Sequence, residues 1–151
     1  MNSAARPRFS WSDAWLLHAV AFAAARHPAS LREIIGMGDA IEKSVFSFDE
    51  LSSGLAKLEA AGHIRPVRDG FELNPVVEEQ FRSAGTQNDH EARVWFERLL
   101  NATRWSPQAE REGPDSSWRY PGLTKEAVDA AFGEYKAEMA AVLKKLEPPG
   151  A

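Results

Sequence analysis

The chain has 151 residues and contains no cysteine. This absence excludes disulfides, thiolate metal ligands and cysteine nucleophiles, and it favours a reducing compartment. A long apolar segment is also missing, because the run over residues 15–25 carries His18 and is too short to span a bilayer. The first residues show no signal-peptide pattern. We therefore expect a soluble, cytoplasmic protein.

An excess of positive charge is absent as well. The formal net charge is -4, so the chain as a whole has no field that would attract nucleic acid. Any affinity for DNA would have to come from a local patch of cations. With 44% hydrophobic residues, a chain of this length can bury a real core. We expect one compact domain with a C-terminal extension.

The sequence offers no convincing catalytic or metal-binding motif. The four histidines fall in four separate segments, and none shows the paired helical spacing of a metal site: they are His18, His27, His63 and His90. The glycine-containing segment "GMGDA" lacks the lysine and the serine or threonine that complete a phosphate-binding loop. No serine lies in a nucleophile-elbow context. We predict that the protein is not an enzyme and that it needs neither a metal nor a cofactor.

Helix-start signals predict two helices before residue 46. Ser12 can cap a first helix over "DAWLLHAVAFAAAR", much of which is apolar. Ser30 and Glu33 form a capping box for a second helix within residues 31–45. The two glycines of "GMG" are expected to kink or split that second helix.

A third helix and a hairpin follow. Ser47 and Glu50 form another capping box, and the helix that they start is expected to end at Gly62. Leucines recur along it at helical spacing, which indicates one buried face: Leu51, Leu55 and Leu58. The runs "HIRPV" and "FELNP", separated by "RDG", then predict two short strands joined at an Asp-Gly turn.

The stretch "SFDELSSGLAKLEAAGHIRPVRDGFELNP" resembles the recognition helix and wing of winged helix-turn-helix proteins. The resemblance implies a mainly α fold with a small β-hairpin: a flexible N-terminal arm over residues 1–10 and a winged helix-turn-helix over residues 11–75. It also implies that the third helix enters the DNA major groove, while the hairpin reaches the backbone or the minor groove.

Six residues are candidate DNA contacts under this resemblance. They lie on the third helix, on the wing and on the N-terminal arm: Ser53, Lys57, Arg65, Arg68, Arg6 and Arg8. Against DNA binding, residues 47–75 carry three cations and five anions, a balance that opposes phosphate contacts. Asp49 and Glu50 in the first turn of the helix are explained by the helix dipole and the capping box, whatever the helix contacts.

Two functions therefore stay open. One is a winged-helix DNA-binding transcriptional regulator, in line with the usual role of the fold. The other is a winged-helix module that binds protein and no DNA, which the acidic third helix favours.

The second half, residues 76–151, is predicted to be a helical extension with a long loop near residues 105–123. "NPVVEEQFRSAG" and "NDHEARVWFERLLNATRW" each predict an amphipathic helix, and Thr124 caps a last one. That last helix has an apolar stripe longer than a small domain's own core is expected to cover: Phe132, Tyr135, Met139, Val142 and Leu146. The stripe predicts a homodimer through the C-terminal helix, with packing onto the chain's own first half as the alternative.

Overall fold

The computed structural model describes residues 8–113 and 118–147. Within these residues the protein is mainly helical and has one two-stranded antiparallel hairpin, which confirms the predicted secondary-structure class. The elements in chain order are α1 (Trp11–Ala23), α2 (Leu31–Glu42), α3 (Phe48–Ala60), β1 (Ile64–Val67), β2 (Gly70–Leu73), α4 (Pro75–Ala84), α5 (Asp89–Asn101), α6 (Pro107–Arg111) and α7 (Lys125–Lys145).

Helix α1 begins at Trp11, two residues earlier than a cap at Ser12 would place its start. Its N-cap is Ser10, whose backbone N–H donates to the Asp13 carboxylate over 2.7 Å. An acid at the third helical position satisfies a free N–H of the first turn in this way. The expected cap at Ser12 is therefore wrong, because Asp13 reaches back to Ser10 instead.

Helix α2 runs without interruption from Leu31 to Glu42, so the expected split is wrong. Its capping box is as predicted: the Glu33 N–H donates to Ser30 Oγ and the Ser30 N–H donates to the Glu33 carboxylate. The glycines serve close packing instead, because a Cβ at Gly36 would lie 2.9 Å from the ring of Tyr135. Gly38 likewise leaves space for the ring of Phe46.

Helix α3 has the predicted capping box and the predicted buried face. The Glu50 N–H donates to Ser47 Oγ, and the Ser47 N–H donates to the Glu50 carboxylate. The leucine stripe is fully buried: Leu51, Leu55 and Leu58 each have 0% exposure. The chain then turns through Gly62, which has a φ of +80°, and enters the hairpin.

The hairpin has the predicted strands, but its turn differs from the expected Asp-Gly turn. Val67 pairs with Gly70, so the two turn residues are Arg68 and Asp69. Gly70 belongs to β2, and a side chain there would not fit, because a Cβ would come within 2.6 Å of the Ala29 carbonyl oxygen. This close approach allows a bridge between Ala29 and Phe71, whose backbone groups exchange hydrogen bonds of 2.8 and 2.9 Å.

One hydrophobic core joins the two halves of the chain. Helix α1 lies at its centre and packs against α2, α3 and α5. Buried members from both halves belong to the same cluster, including Leu17, Ile35, Leu55, Phe96, Leu100 and Val128. The C-terminal helices therefore complete the core of the N-terminal ones.

Helix α7 packs on α2 through its N-terminal two-thirds. The Tyr135 hydroxyl donates to the Asp39 carboxylate over 2.6 Å, and this hydrogen bond is the main cause that raises the pKa of Tyr135 to about 12. Arg32 of α2 forms ion pairs with Glu134 and Glu138 of α7. These contacts fix α7 across the outer side of α2.

Candidate functional site

Lys57 does not lie on an exposed face, and this part of the sequence interpretation is wrong. Its side chain has 0% exposure and forms an ion pair with Asp13, whose side chain is 1% exposed. The Lys57 ammonium also donates to the Arg8 carbonyl oxygen over 3.0 Å and lies 5.9 Å from the centre of the Phe9 ring. The ammonium group thus ties α3 to the start of α1 and cannot reach a phosphate from this position.

Part of the side of α3 opposite its leucines is covered by the chain itself, whereas Asp49 and Ala60 on the same side are exposed. Ala56 packs with Ala109 of α6 and with Trp118 in a second, smaller hydrophobic cluster. The Tyr120 N–H donates to Ser52 Oγ over 2.9 Å. Burial and the neighbouring Glu59 carboxylate raise the pKa of Tyr120.

We call α6 and residues 118–120 together the cover of α3. The sequence predicted a long loop at residues 105–123 and missed α6, which has only five residues. A Ser-Pro step is the signal that could have revealed it, because Ser106 caps the helix and Pro107 occupies its first position.

Ser53 lines a shallow surface cavity of about 280 Å³ between α3 and the start of α1. The other residues around the cavity are mainly acidic or hydroxylated: Ser10, Ser12, Asp13, Asp49 and Glu50, with Arg119 as the cation. Three carboxylates against one guanidinium make this surface unfavourable for phosphate. Ser53 therefore lies beside acids and apart from the arginines of the hairpin.

The two wing arginines have different environments. Arg65 Nε donates to Glu72 Oε1 over 2.6 Å, and the two residues face each other across the hairpin. That ion pair offsets the charge of Arg65. Arg68 is exposed at the turn and has a φ of +55°, a left-handed conformation in which a residue other than glycine is uncommon.

The described part of the N-terminal arm packs against the rest of the chain. Arg6 lies outside the described residues. Arg8 is exposed, while its carbonyl oxygen accepts the hydrogen bond from Lys57. The Phe9 ring stacks on Trp105 with 4.7 Å between ring centres. The described end of the arm is thus packed against the segment that leads into α6.

Two buried histidines lie in the interior. His18 has 0% exposure, and neither ring nitrogen has a hydrogen-bond partner within the described structure. Burial lowers its pKa. His63 also has a lowered pKa because of burial, but its Nε2 lies 2.7 Å from Thr103 Oγ1. Among residues 8–113 and 118–147, no group of three or more potential ligand side chains could hold a metal ion.

Among the described residues, four of the six exposed large hydrophobic side chains lie at the C-terminal end of α7. Four side chains on one stripe are exposed to between 39% and 74%: Met139, Val142, Leu143 and Leu146. The N-terminal part of the same stripe packs into the core or against it through Val128, Phe132 and Tyr135.

Among the described residues, no helix combines the length and the apolar character that crossing a membrane requires.

No protein-family model, curated protein or solved structure matches this chain.

Proposed function

We propose that residues 11–75 are a winged helix-turn-helix and that this protein is a protein-interaction module rather than a reader of duplex DNA. The order of three helices and a hairpin supports the winged-helix frame. So does the bridge that attaches Ala29, between α1 and α2, to Phe71 of the hairpin.

The observation that carries the proposal is the cover over α3. The DNA major groove is about 12 Å wide, and an α-helix with its side chains is already about 10–12 Å across. A helix with a second layer on its outer side does not fit into that space. In this protein Ala56 is buried against Ala109 and Trp118, so α3 carries such a layer over part of its outer side.

Charge supports the same conclusion. Phosphate contacts normally supply much of the affinity for DNA. Here Lys57 is paired with Asp13 in the interior and Arg65 is paired with Glu72 across the hairpin. Of the three cations in residues 47–75, only Arg68 has no carboxylate partner among the described ion pairs.

The surface suited to a protein partner is the exposed end of α7. An apolar helix stripe of this kind is a common anchor in protein recognition, since a partner can cover it with its own apolar surface. Its flanks carry both signs of charge, among them Glu138 and Lys145, which provides the polar rim that surrounds most protein interfaces.

Retention on random duplex DNA at low salt tests the proposal. We expect none, because Arg68 is the only hairpin cation without a carboxylate partner among the described ion pairs and the chain as a whole is net negative. Retention that decreases steeply as salt is added would contradict the proposal and support a DNA-binding regulator instead.

The DNA-binding alternative depends on Arg68. Its exposed position at the hairpin turn is where the winged-helix resemblance places a backbone contact. If DNA were retained through the wing, Arg68→Ala would weaken retention of all sequences alike and reduce the salt slope by about one phosphate contact. Lys125→Ala, at the exposed start of α7, is the matched control that also removes one cation.

A further inference from the structure

We infer that the partner of the exposed α7 end is the same segment of a second copy, paired antiparallel around a two-fold axis between Ala141 and Val142. We call residues 136–147 the α7 tail. The inference rests on the proposed function, in that it names the protein that the module binds.

The α7 tail is exposed along its whole length, from Lys136 to Glu147. In the preceding part of α7, Tyr135 contacts Asp39 of α2, and Glu134 contacts Arg32. Glu138 also contacts Arg32 and is the last residue of α7 with a described hydrogen bond or ion pair to α2. The part of the helix after Glu138 is roughly 12 Å long, at about 1.5 Å per residue.

The exposed apolar side chains of the tail form one stripe. They are spaced by three and four residues, so they share a helix face: Met139 at 39% exposure, Val142 at 44%, Leu143 at 60% and Leu146 at 74%. Exposure increases toward the end of the helix, where the distance from α2 is greatest. A second copy laid along this stripe would cover all four.

The charges beside the stripe indicate which partner fits and whether the two helices pair parallel or antiparallel. Glu138 and Lys145 are seven residues apart and lie on one flank. Lys136 and Glu147 are eleven residues apart and lie on the other flank. Both pairs have the same midpoint, between residues 141 and 142.

This shared midpoint makes the tail complementary to itself. In an antiparallel pair centred there, Glu138 faces Lys145 of the second copy and Lys136 faces its Glu147, with the reciprocal contacts following from the two-fold axis. In a parallel pair, each of these residues would lie opposite the identical residue of the second copy. Neither pair of opposite charges would then form. Glu138 contacts Arg32 through Oε2, which leaves Oε1 for the second copy.

The contact is small. Four partly exposed side chains per copy bury less than the roughly 1,000 Å² expected of a stable specific interface. We therefore expect a weak dimer, with a Kd on the order of micromolar to hundreds of micromolar. A dimer of this strength forms and dissociates as the protein concentration changes.

Charge reversal tests both the partner and the register. Glu138→Lys and Lys145→Glu should each place like charges opposite one another and weaken self-association by roughly tenfold or more. An equimolar mixture of the two variants should associate again, because both facing pairs are then of opposite sign. Sedimentation equilibrium over a concentration series measures the association of each variant alone and of the mixture.

Two controls separate the contact from changes in the fold. Glu134→Lys removes the other carboxylate near Arg32, at 3.9 Å, but lies outside the paired register and should leave association unchanged. Leu146→Ser should abolish association, whereas Val76→Ser, on α4 and 64% exposed, should not.

A wild-type chain that stays monomeric up to about 2 mM, above the whole range of the expected Kd, would overturn the inference. So would reversed variants that fail to associate when mixed. Neither outcome says anything about DNA binding. If the protein self-associates as expected but is also retained on duplex DNA, only the proposed function is contradicted.

Discussion

The buried ion pair of Lys57 and Asp13 connects α3 to the start of α1 with two side chains that have almost no contact with solvent. Removing one partner of such a pair leaves an uncompensated charge in the interior, which typically costs about 3–5 kcal/mol. We expect Lys57→Met to lower the free energy of unfolding by roughly that amount. Urea denaturation followed by circular dichroism measures it.

The double variant Lys57→Met with Asp13→Asn is the control for this explanation. Asparagine removes the charge and keeps an oxygen that can accept the hydrogen bond from the Ser10 N–H. The double variant should therefore be more stable than Lys57→Met alone, by roughly 1–2 kcal/mol. Equal stability would mean that the cost comes from packing rather than from the stranded carboxylate.

His18 predicts a dependence of stability on pH. Burial lowers its pKa in the folded chain below the ordinary value of 6.5, so the fold holds the neutral ring. The unfolded chain takes up a proton as the pH falls below about 6.5, and the folded chain takes it up only at lower pH. Stability from this residue is therefore complete above about pH 6.5 and decreases as the pH falls toward the folded pKa.

The variant His18→Leu isolates this effect. It removes two buried nitrogens that have no hydrogen-bond partner, so we expect stability at neutral pH to be unchanged or higher. The decrease in unfolding free energy between about pH 7 and pH 5 should become smaller and retain the part due to His63. An unchanged pH profile would assign the dependence to other groups. The charged groups around His18 are Asp89, Glu42 and Arg93.

The buried environment of Lys57 could not be predicted from the sequence. A helical wheel places Lys57 away from the leucines, but it cannot show that the start of α1 passes over that side of α3. Asp13 lies 44 residues away in the chain. The burial of a charge on a helix depends on which element packs there, and that is a long-range property.

At the scale of elements, capping explains why most boundaries were predictable. The boxes at Ser30 and Ser47, the cap at Thr124 and the stop at Gly85 use contacts within four residues, so the local sequence contains the whole signal. The errors arose where distant packing decides. Gly36 lies inside a helix where the Tyr135 ring packs against it, and Gly70 lies in a strand where Ala29 approaches it, so both glycines allow close packing.

Substitution at Gly36 tests the packing of α7 on α2. An added methyl would come within 2.9 Å of two atoms of the Tyr135 ring, and that ring is held by its hydrogen bond to Asp39. We expect Gly36→Ala to lower the free energy of unfolding by about 1–3 kcal/mol, as for other overpacked sites. Thermal and urea denaturation measure the change.

Gly133 in α7 provides the matched control. A Cβ there meets no atom within 4 Å, and alanine has the higher helix propensity. Gly133→Ala should therefore stabilise the protein by about 0.5–1 kcal/mol. If both alanine variants stabilise the protein, the ring of Tyr135 moves aside at little cost and α7 is less firmly attached than the contacts indicate.

At the scale of the whole molecule, only the part of the candidate site on the hairpin could be predicted from the sequence. The exposure of Arg68 follows from its place in a turn. The cover over α3 could not be predicted, because it brings α6 and residues 118–120 onto a helix that ends at Ala60, with no local signal that links them. That long-range contact shifts the favoured function from DNA to protein.

The shared core also predicts how the chain responds to truncation. Phe96, Leu100 and Val128 belong to the same cluster as the buried residues of α1–α3. A fragment of residues 1–74 would expose the apolar surface that these side chains cover. We expect that fragment to show no cooperative thermal unfolding by circular dichroism.

A fragment of residues 1–138 should behave differently, because it keeps every α7 residue that packs into the core and loses most of the exposed tail. Its melting temperature should stay within a few degrees of the full chain, since the removed side chains are largely exposed already. Cooperative unfolding of residues 1–74 would show that α1–α3 and the hairpin fold alone and that α5 and α7 are accessory. Loss of the fold in residues 1–138 would show that the exposed end of α7 supports the core, which its solvent exposure argues against.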